Sequence, residues 1–221
     1  MKISNSLVII LFVFISLFFS CQREAGRGTP PGDKGEAVSS DDVSIRYKAY
    51  GQGEIALVFI HGWCTDMSIW KEQIPSFFVN YKIVSIDLPG HGKSGFGRKK
   101  WTMEAFGRDV VAVVEKLNLR KVVLIGHSMG GPVILEAARL IPEQIIGLIG
   151  SEALSDLYVQ GYTPQEIGHS LSMWDDDFAK RISEFAWRTY FNRNSDRSII
   201  KRLIIKMAAN PPEIALGSLE E

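Results

Sequence analysis

The pattern of hydrophobic positions changes character several times along the chain. Residues 7–19 are apolar except for Ser16, and Lys2 precedes them. That run is short for a bilayer-spanning helix and has the length of a signal-peptide hydrophobic region. Residues 22–42 carry Gly, Pro, Ser and charge, as in Gly26-Arg27-Gly28-Thr29-Pro30-Pro31-Gly32. Such a composition buries too little apolar area to order itself and predicts a flexible tether. Val43-Ser44-Ile45-Arg46-Tyr47 alternates, as a half-exposed edge strand does. Ala56-Leu57-Val58-Phe59-Ile60 is continuously apolar, and Lys82-Ile83-Val84-Ser85-Ile86 and Val122-Val123-Leu124-Ile125 are nearly so. These runs suit central strands of a parallel sheet covered on both faces. Ile145-Ile146-Gly147-Leu148-Ile149 predicts a further strand. Between strands, residues 103–117 place Phe106, Val110, Val113, Val114 and Leu117 at helical spacing. Strand alternating with helix predicts an α/β fold with right-handed crossovers.

Beyond Glu152 the strands stop. Thr163-Pro164-Gln165-Glu166 has the form of a capping box with Pro at the first helical position. Phe178, Ile182, Phe185 and Ala186 share one helix face. Ile199, Ile200, Leu203, Ile204 and Met207 mark a second amphipathic helix, with Lys201, Arg202 and Lys206 on its wet side. Asn210-Pro211-Pro212 punctuates, and a last helix is expected from Glu213 to Glu221. The expected organisation is a signal peptide (1–20), a tether (21–42), an α/β core (43–154) and a helical lid (155–221).

Composition narrows the partners. The chain has 221 residues, 46% hydrophobic and 23% charged, with a formal net charge of +0. That supports one well-buried core and gives no electrostatic reason to expect nucleic acid. Arg98-Lys99-Lys100 is the tightest basic cluster and reads as a solvated loop. There are 2 cysteines, Cys21 and Cys64. Ser20-Cys21 after the apolar run resembles a bacterial lipoprotein signal, although Phe18 and Phe19 depart from its usual residues. Lipidation of Cys21 would place the chain on the bacterial cell envelope and leave Cys64 without a disulfide partner; an ordinary signal peptide or an uncleaved anchor is the alternative.

The chemistry concentrates at Gly126-His127-Ser128-Met129-Gly130, directly after an apolar strand and before a helix with Pro132 in its first turn. A sharp strand-to-helix turn with glycine two positions either side pushes the Ser128 hydroxyl out above the sheet. Upstream, His61-Gly62-Trp63 follows the strand ending at Ile60, and Asp87-Leu88-Pro89-Gly90-His91-Gly92-Lys93-Ser94 follows the next. Together these motifs resemble the α/β-hydrolase superfamily over residues 43–153, in order and spacing as well as in letters. The resemblance implies an α/β-hydrolase core with a mostly parallel sheet and a helical lid. It implies a Ser-acid-His triad in that chain order, no cofactor and no metal, and an acyl-enzyme on Ser128. Backbone N–H groups of Trp63 and Met129 would form the oxyanion hole. His61, Asp87, His91 and His127 would be structural.

The acid and base should follow Ser128. Glu152, after the strand ending at Ile149, resembles the acid position of haloalkane dehalogenases, and Asp156 is a weaker candidate. Only His169 lies downstream as a base, and it falls within the expected lid. The family architecture places its histidine after a later strand, so the sequence reads as C-terminally truncated, with the last strands missing. The expected function is hydrolysis of a small-molecule carboxylic ester. The alternatives are a catalytically incomplete surface lipoprotein acting as a binding module, and C–C hydrolysis or cofactor-free haloperoxidase-type chemistry on the same fold.

Overall fold

A computed structural model describes residues 32–153, 177–191 and 195–218. The expected signal peptide, Cys21, the capping box at 163–166, Asp156 and His169 lie outside the described residues.

Six strands form one sheet: β1 (Asp33–Val38), β2 (Ser44–Tyr50), β3 (Ile55–Ile60), β4 (Lys82–Ile86), β5 (Lys121–His127) and β6 (Ile145–Ser151), in the order β1-β2-β4-β3-β5-β6. The strands β4, β3, β5 and β6 run parallel, and β2 and β1 add antiparallel at one side. The sheet is therefore mostly parallel, as expected. Alternation along β3 splits its side chains between two layers. Ala56, Val58 and Ile60 join the larger cluster, while Leu57 and Phe59 meet Trp70 and Ile74 on the other face. Helix α1 (Ile74–Phe77) lies on that second face. Helices α2 (Met103–Lys116) and α3 (Gly130–Leu140) contribute Phe106, Val110, Val113, Val133 and Ala137 to the larger cluster. The predicted helix at 103–117 is thus present. Thr102 caps it by accepting a hydrogen bond from the Ala105 N–H at 3.1 Å. Each fully buried Phe or Val there contributes roughly 1.5–3 kcal/mol.

Two expectations need correction at the sheet's antiparallel side. Residues 33–38, read as tether, form β1 and pair along β2 from Asp33↔Ala49 to Val38↔Ser44. β2 is consequently an inner strand and β1 the edge. β1 buries Ala37 but little else, so hydrophobic periodicity could not reveal it. Its stabilisation comes from main-chain pairing and from the turn that closes the hairpin, where the Val43 N–H donates to Ser39 Oγ at 2.9 Å.

Arg98 is likewise not solvated. Its side chain is only 4% exposed and makes paired hydrogen bonds to Asp109 and to Asp41, between 2.7 and 2.9 Å. The guanidinium also lies 5.8 Å from the ring centres of both Trp101 and Phe106. It ties the β1–β2 turn to α2. The Arg98 hydrogen bonds hold the Asp41 carboxyl down to about 2, whereas burial pushes Asp109 up to about 6 against the same cation. Lys99 and Lys100 are exposed, as expected.

The last helices are α4 (Phe178–Tyr190), α5 (Arg197–Ala208) and α6 (Pro212–Gly217). Asp177 and Asp196 cap the first two, accepting from the Lys180 and Ser198 N–H groups. Phe178, Ile182, Ala186, Met207, Ile214 and Ala215 enter the same cluster as the sheet residues, so these helices share its core. The helical periodicity holds in the main, but Ile199 is 53% exposed. Lys206, placed by the pattern on the wet side, instead reaches back to the residues after β3.

Candidate active site

The elbow is built by steric necessity. Ser128 lies between β5 and α3 with φ of 51°, a left-handed conformation that costs a non-glycine residue of order 1–3 kcal/mol. Neighbours hold it there: the Ser128 N–H donates to the Ser151 carbonyl of β6 at 3.0 Å, and the Gly131 N–H donates to the Ser128 carbonyl at 2.8 Å. A Cβ on Gly126 would stand 2.2 Å from the Gly130 carbonyl oxygen. A Cβ on Gly130 would stand 2.8 Å from the Ile60 carbonyl oxygen. Both glycines are therefore demanded by backbone on backbone.

The His-Gly turn lies against this elbow. A Cβ on Gly62 would come within 2.7 Å of His127 Nδ1 and 3.1 Å of Ser128 Cβ. His61 is fully buried, and its two nitrogens are committed. Nδ1 bonds the Gly62 carbonyl at 2.8 Å, and Nε2 accepts from the Leu88 N–H at 3.0 Å. Those partners fix the neutral tautomer with its proton on Nδ1. Burial pushes the imidazole down to about 4. Thr65 Oγ1 donates to the same Gly62 carbonyl at 2.8 Å. Trp63 and Met129, the expected oxyanion donors, follow the turn and the elbow respectively, with both side chains in the core.

The Asp87 loop is structural, as the resemblance implied. Asp87 Oδ1 accepts from the Met67 N–H at 2.8 Å and Oδ2 from the Lys93 N–H at 2.9 Å. Gly92, at φ of 55°, leaves room for that carboxylate, which a Cβ would meet at 2.4 Å. His91 is buried 5.1 Å from His61, ring centre to ring centre, with Nδ1 on the Pro89 carbonyl; burial pushes it down to about 3. His61 and His91 are 0% and 1% exposed, and His91 Nε2 has no hydrogen-bond partner among the described residues.

Glu152 and His127 meet. Glu152 extends the tip of β6 with φ of 49°, and its carboxylate lies 3.8 Å from His127 Nε2. His127 Nδ1 is buried with no hydrogen-bond partner among the described residues. Burial pulls the His127 imidazole below its ordinary value, while Glu152 pulls it the other way. The fold thus brings Ser128, Trp63, Met129 and Glu152 to the ends of adjacent strands. Three residues that sequence reasoning did not assign to the site also pack beside it: Trp70, whose ring meets His127 edge-on at 6.4 Å, Lys206 of α5, which binds Asp66, and Asn210 after α5, which bonds the Cys64 carbonyl. The only signal for Asn210 was its place before two prolines, which speaks for a turn and not for a contact.

A parallel sheet with a serine elbow at a strand's carboxyl end, faced by a His-Gly turn, defines a nucleophile-elbow α/β protein. Residues 55–197 match the alpha/beta hydrolase fold family, and the chain belongs to it. A Haemophilus influenzae protein named as an esterase/lipase is 37% identical over 115 residues, covering 52% of this chain and 39% of that protein. The non-heme chloroperoxidase of Streptomyces lividans is 31% identical over 145 residues, covering 64% of this chain and 52% of its own length. The chain therefore spans about half or less of these curated relatives. Among solved structures, an esterase from Exiguobacterium antarcticum superposes with a TM-score of 0.75 at 20% identity, covering 83% of this chain and 71% of that one. At that identity the likeness shows the shared fold.

Proposed function

We propose that the chain is a serine hydrolase that cleaves small carboxylic esters through an acyl-enzyme on Ser128. The observation that carries this reading is the left-handed Ser128, locked between two sterically required glycines with the Gly62 turn against its Cβ. In the proposed reaction Ser128 Oγ attacks the ester carbonyl carbon and gives its proton to a base. The carbonyl oxygen becomes an oxyanion facing the N–H groups of Trp63 and Met129, each worth roughly 10²–10³ in rate. The alcohol leaves with that proton, and water then releases the acid. Glu152 is the carboxylate proposed for the triad. Both nitrogens of His61 are bonded, His91 is buried with its Nδ1 on the Pro89 carbonyl, and His127 faces Glu152, so the base is proposed to come from outside the described residues, where His169 lies. The esterase/lipase relative supports an ester substrate. Without a base the serine is a weak nucleophile.

The test is labelling by a fluorophosphonate probe of the intact chain and of Ser128→Ala. Labelling that disappears in the variant supports the reading; equal labelling of both removes Ser128. A second reading, a binding module that keeps the fold without turnover, draws on the absence of a suitably placed base among the described histidines. It predicts a folded chain that the probe does not touch. Export and lipid anchoring at Cys21 belong to the same proposal: incorporation of radiolabelled palmitate that is lost in Cys21→Ser supports it, and incorporation that persists overturns it.

A further inference from the structure

We propose that the last helices act as the mould for the oxyanion turn, with Lys206 and Asn210 as positioning residues, so that helix docking and assembly of the hole are one event. This rests on the reading of Trp63 as an oxyanion donor.

From below, His61 and Thr65 secure only the Gly62 carbonyl. The next residues are strained, since Cys64 holds φ of 54° without being glycine. Such a conformation persists only where its surroundings over-determine it. On the core side the Met67 N–H is held by Asp87; on the other side the surroundings come from the far end of the chain. The Trp63 indole N–H donates to the Ala215 carbonyl of α6 at 2.8 Å across 152 positions. The Asn210 amide donates to the Cys64 carbonyl at 2.9 Å across 146 positions. The Lys206 ammonium of α5 binds the Asp66 carboxylate, 140 positions away, and Ser68 Oγ.

The Asn210 contact is particular. The same amide nitrogen also lies 2.9 Å from the Lys206 carbonyl and 3.2 Å from the Met207 carbonyl. All three partners are acceptors, which assigns that atom as nitrogen. One side chain thus closes the carboxyl end of α5 and holds the turn, so the two cannot separate without losing a shared donor. Asp66 plays the matching part from the core side, accepting from the Ser68 N–H at 2.8 Å while it binds Lys206. Packing alone does not set the approach. An open cleft of about 160 Å³ lies at this joint, lined by Thr65, Asp66, Gly90, Lys206, Asn210 and Pro211 among others. The polar tethers across it fix where Trp63 points its backbone.

Cys64 supplies a readout that is independent of catalysis, because its thiol is fully buried under the joint and is the free cysteine among the described residues. In a Cys21→Ser background, the rate of Cys64 modification by a thiol-specific disulfide reagent is compared with fluorophosphonate labelling of Ser128. The variants are Asn210→Asp, which keeps the shape but turns a donor into an acceptor, and Lys206→Met; Lys201→Met on the exposed side of α5 is the control. Both clamp variants should raise the Cys64 rate at least tenfold. They should also lower the maximal labelling rate of Ser128 at least tenfold, leave the probe concentration for half-maximal rate within twofold, and keep native circular dichroism. Cys64 rates equal to the control in either folded variant overturn the clamp. Faster Cys64 modification with unchanged Ser128 labelling overturns the link to the oxyanion hole. If the parent chain never labels at Ser128, the hydrolase reading falls, and the Cys64 rates alone still decide whether the clamp holds the turn.

Discussion

The elbow and the His-Gly turn face each other across the site, yet they are made in different ways. The elbow's own residues lie within five positions, Gly126 against Gly130, and the ends of the flanking strands hold them by backbone contact, Ile60 of β3 against Gly130 and the Ser151 carbonyl of β6 on the Ser128 N–H. The turn at 61–66 takes its outer half from residues about 140–150 positions away. A device held by its own glycines and the strands beside it forms with the parallel sheet. A device built at long range depends on the docking of helices that bury only part of their surface. Ser128 and the turn at 61–66 therefore rest on separate foundations in one site.

That contrast can be broken most forcefully at the elbow. Gly126→Ala sets a Cβ against the carbonyl and carbon of Gly130, neither of which can yield without moving α3. Such overpacking is expected to cost about 3 kcal/mol in urea unfolding and to abolish Ser128 labelling together with it. A loss below about 1 kcal/mol would show that the elbow is softer than its geometry. Next comes a long-range tether remote from the turn. Arg98→Met leaves the Asp109 carboxyl buried without its cation. Removing one partner of a buried pair costs roughly 3 kcal/mol, somewhat less here because Asp109 can take up a proton. Ser128 labelling of the fraction that stays folded should be unchanged. A loss of labelling per folded molecule would mean that this tether, remote from the turn, also acts on the site.

Acid probes the underside of the turn. His61 and His91 have folded-state pKa values depressed to about 4 and about 3 from 6.5. The unfolded chain therefore binds more protons below neutrality. The stabilisation is complete above about pH 6.5 and is lost as pH falls toward 4, by about 2 kcal/mol per histidine at pH 5. Urea midpoints measured from pH 7.5 to 5 should decline steadily, and His61→Gln should flatten the slope. A flat profile in the parent chain would contradict neutral burial. The smallest effect on stability is expected at Glu152, whose side chain is 65% exposed. Glu152→Gln should shift the urea midpoint by less than about 0.5 kcal/mol and slow the labelling of Ser128. An unchanged labelling rate would remove Glu152 from the site.

The same contrast explains what could be read from the sequence. The glycine spacing around Ser128, the buried strands and the helix at 103–117 are local patterns, and the structure contains them. β1 escaped because it buries one alanine and is held by its partner's backbone, which no periodicity records. Arg98 looked solvated beside Lys99 and Lys100, since its two carboxylate partners lie 57 and 11 positions away. Lys206 falls on the polar face of its helix, a position that predicts a wet residue. Polarity marked it correctly as avoiding the core, but only the tertiary fold could supply Asp66. Asn210 carried no chemical signal at all.

The hairpin at the sheet's antiparallel side has a consequence beyond the fold. β1 contributes a single well-buried side chain, yet it occupies the position where an inner, more apolar strand would otherwise end the sheet. Its own outer row presents Asp33, Lys34 and Glu36. Charges along a short border strand discourage another chain from adding its backbone there. β1 thereby acts as a selvedge, a finished border, at this edge of the sheet.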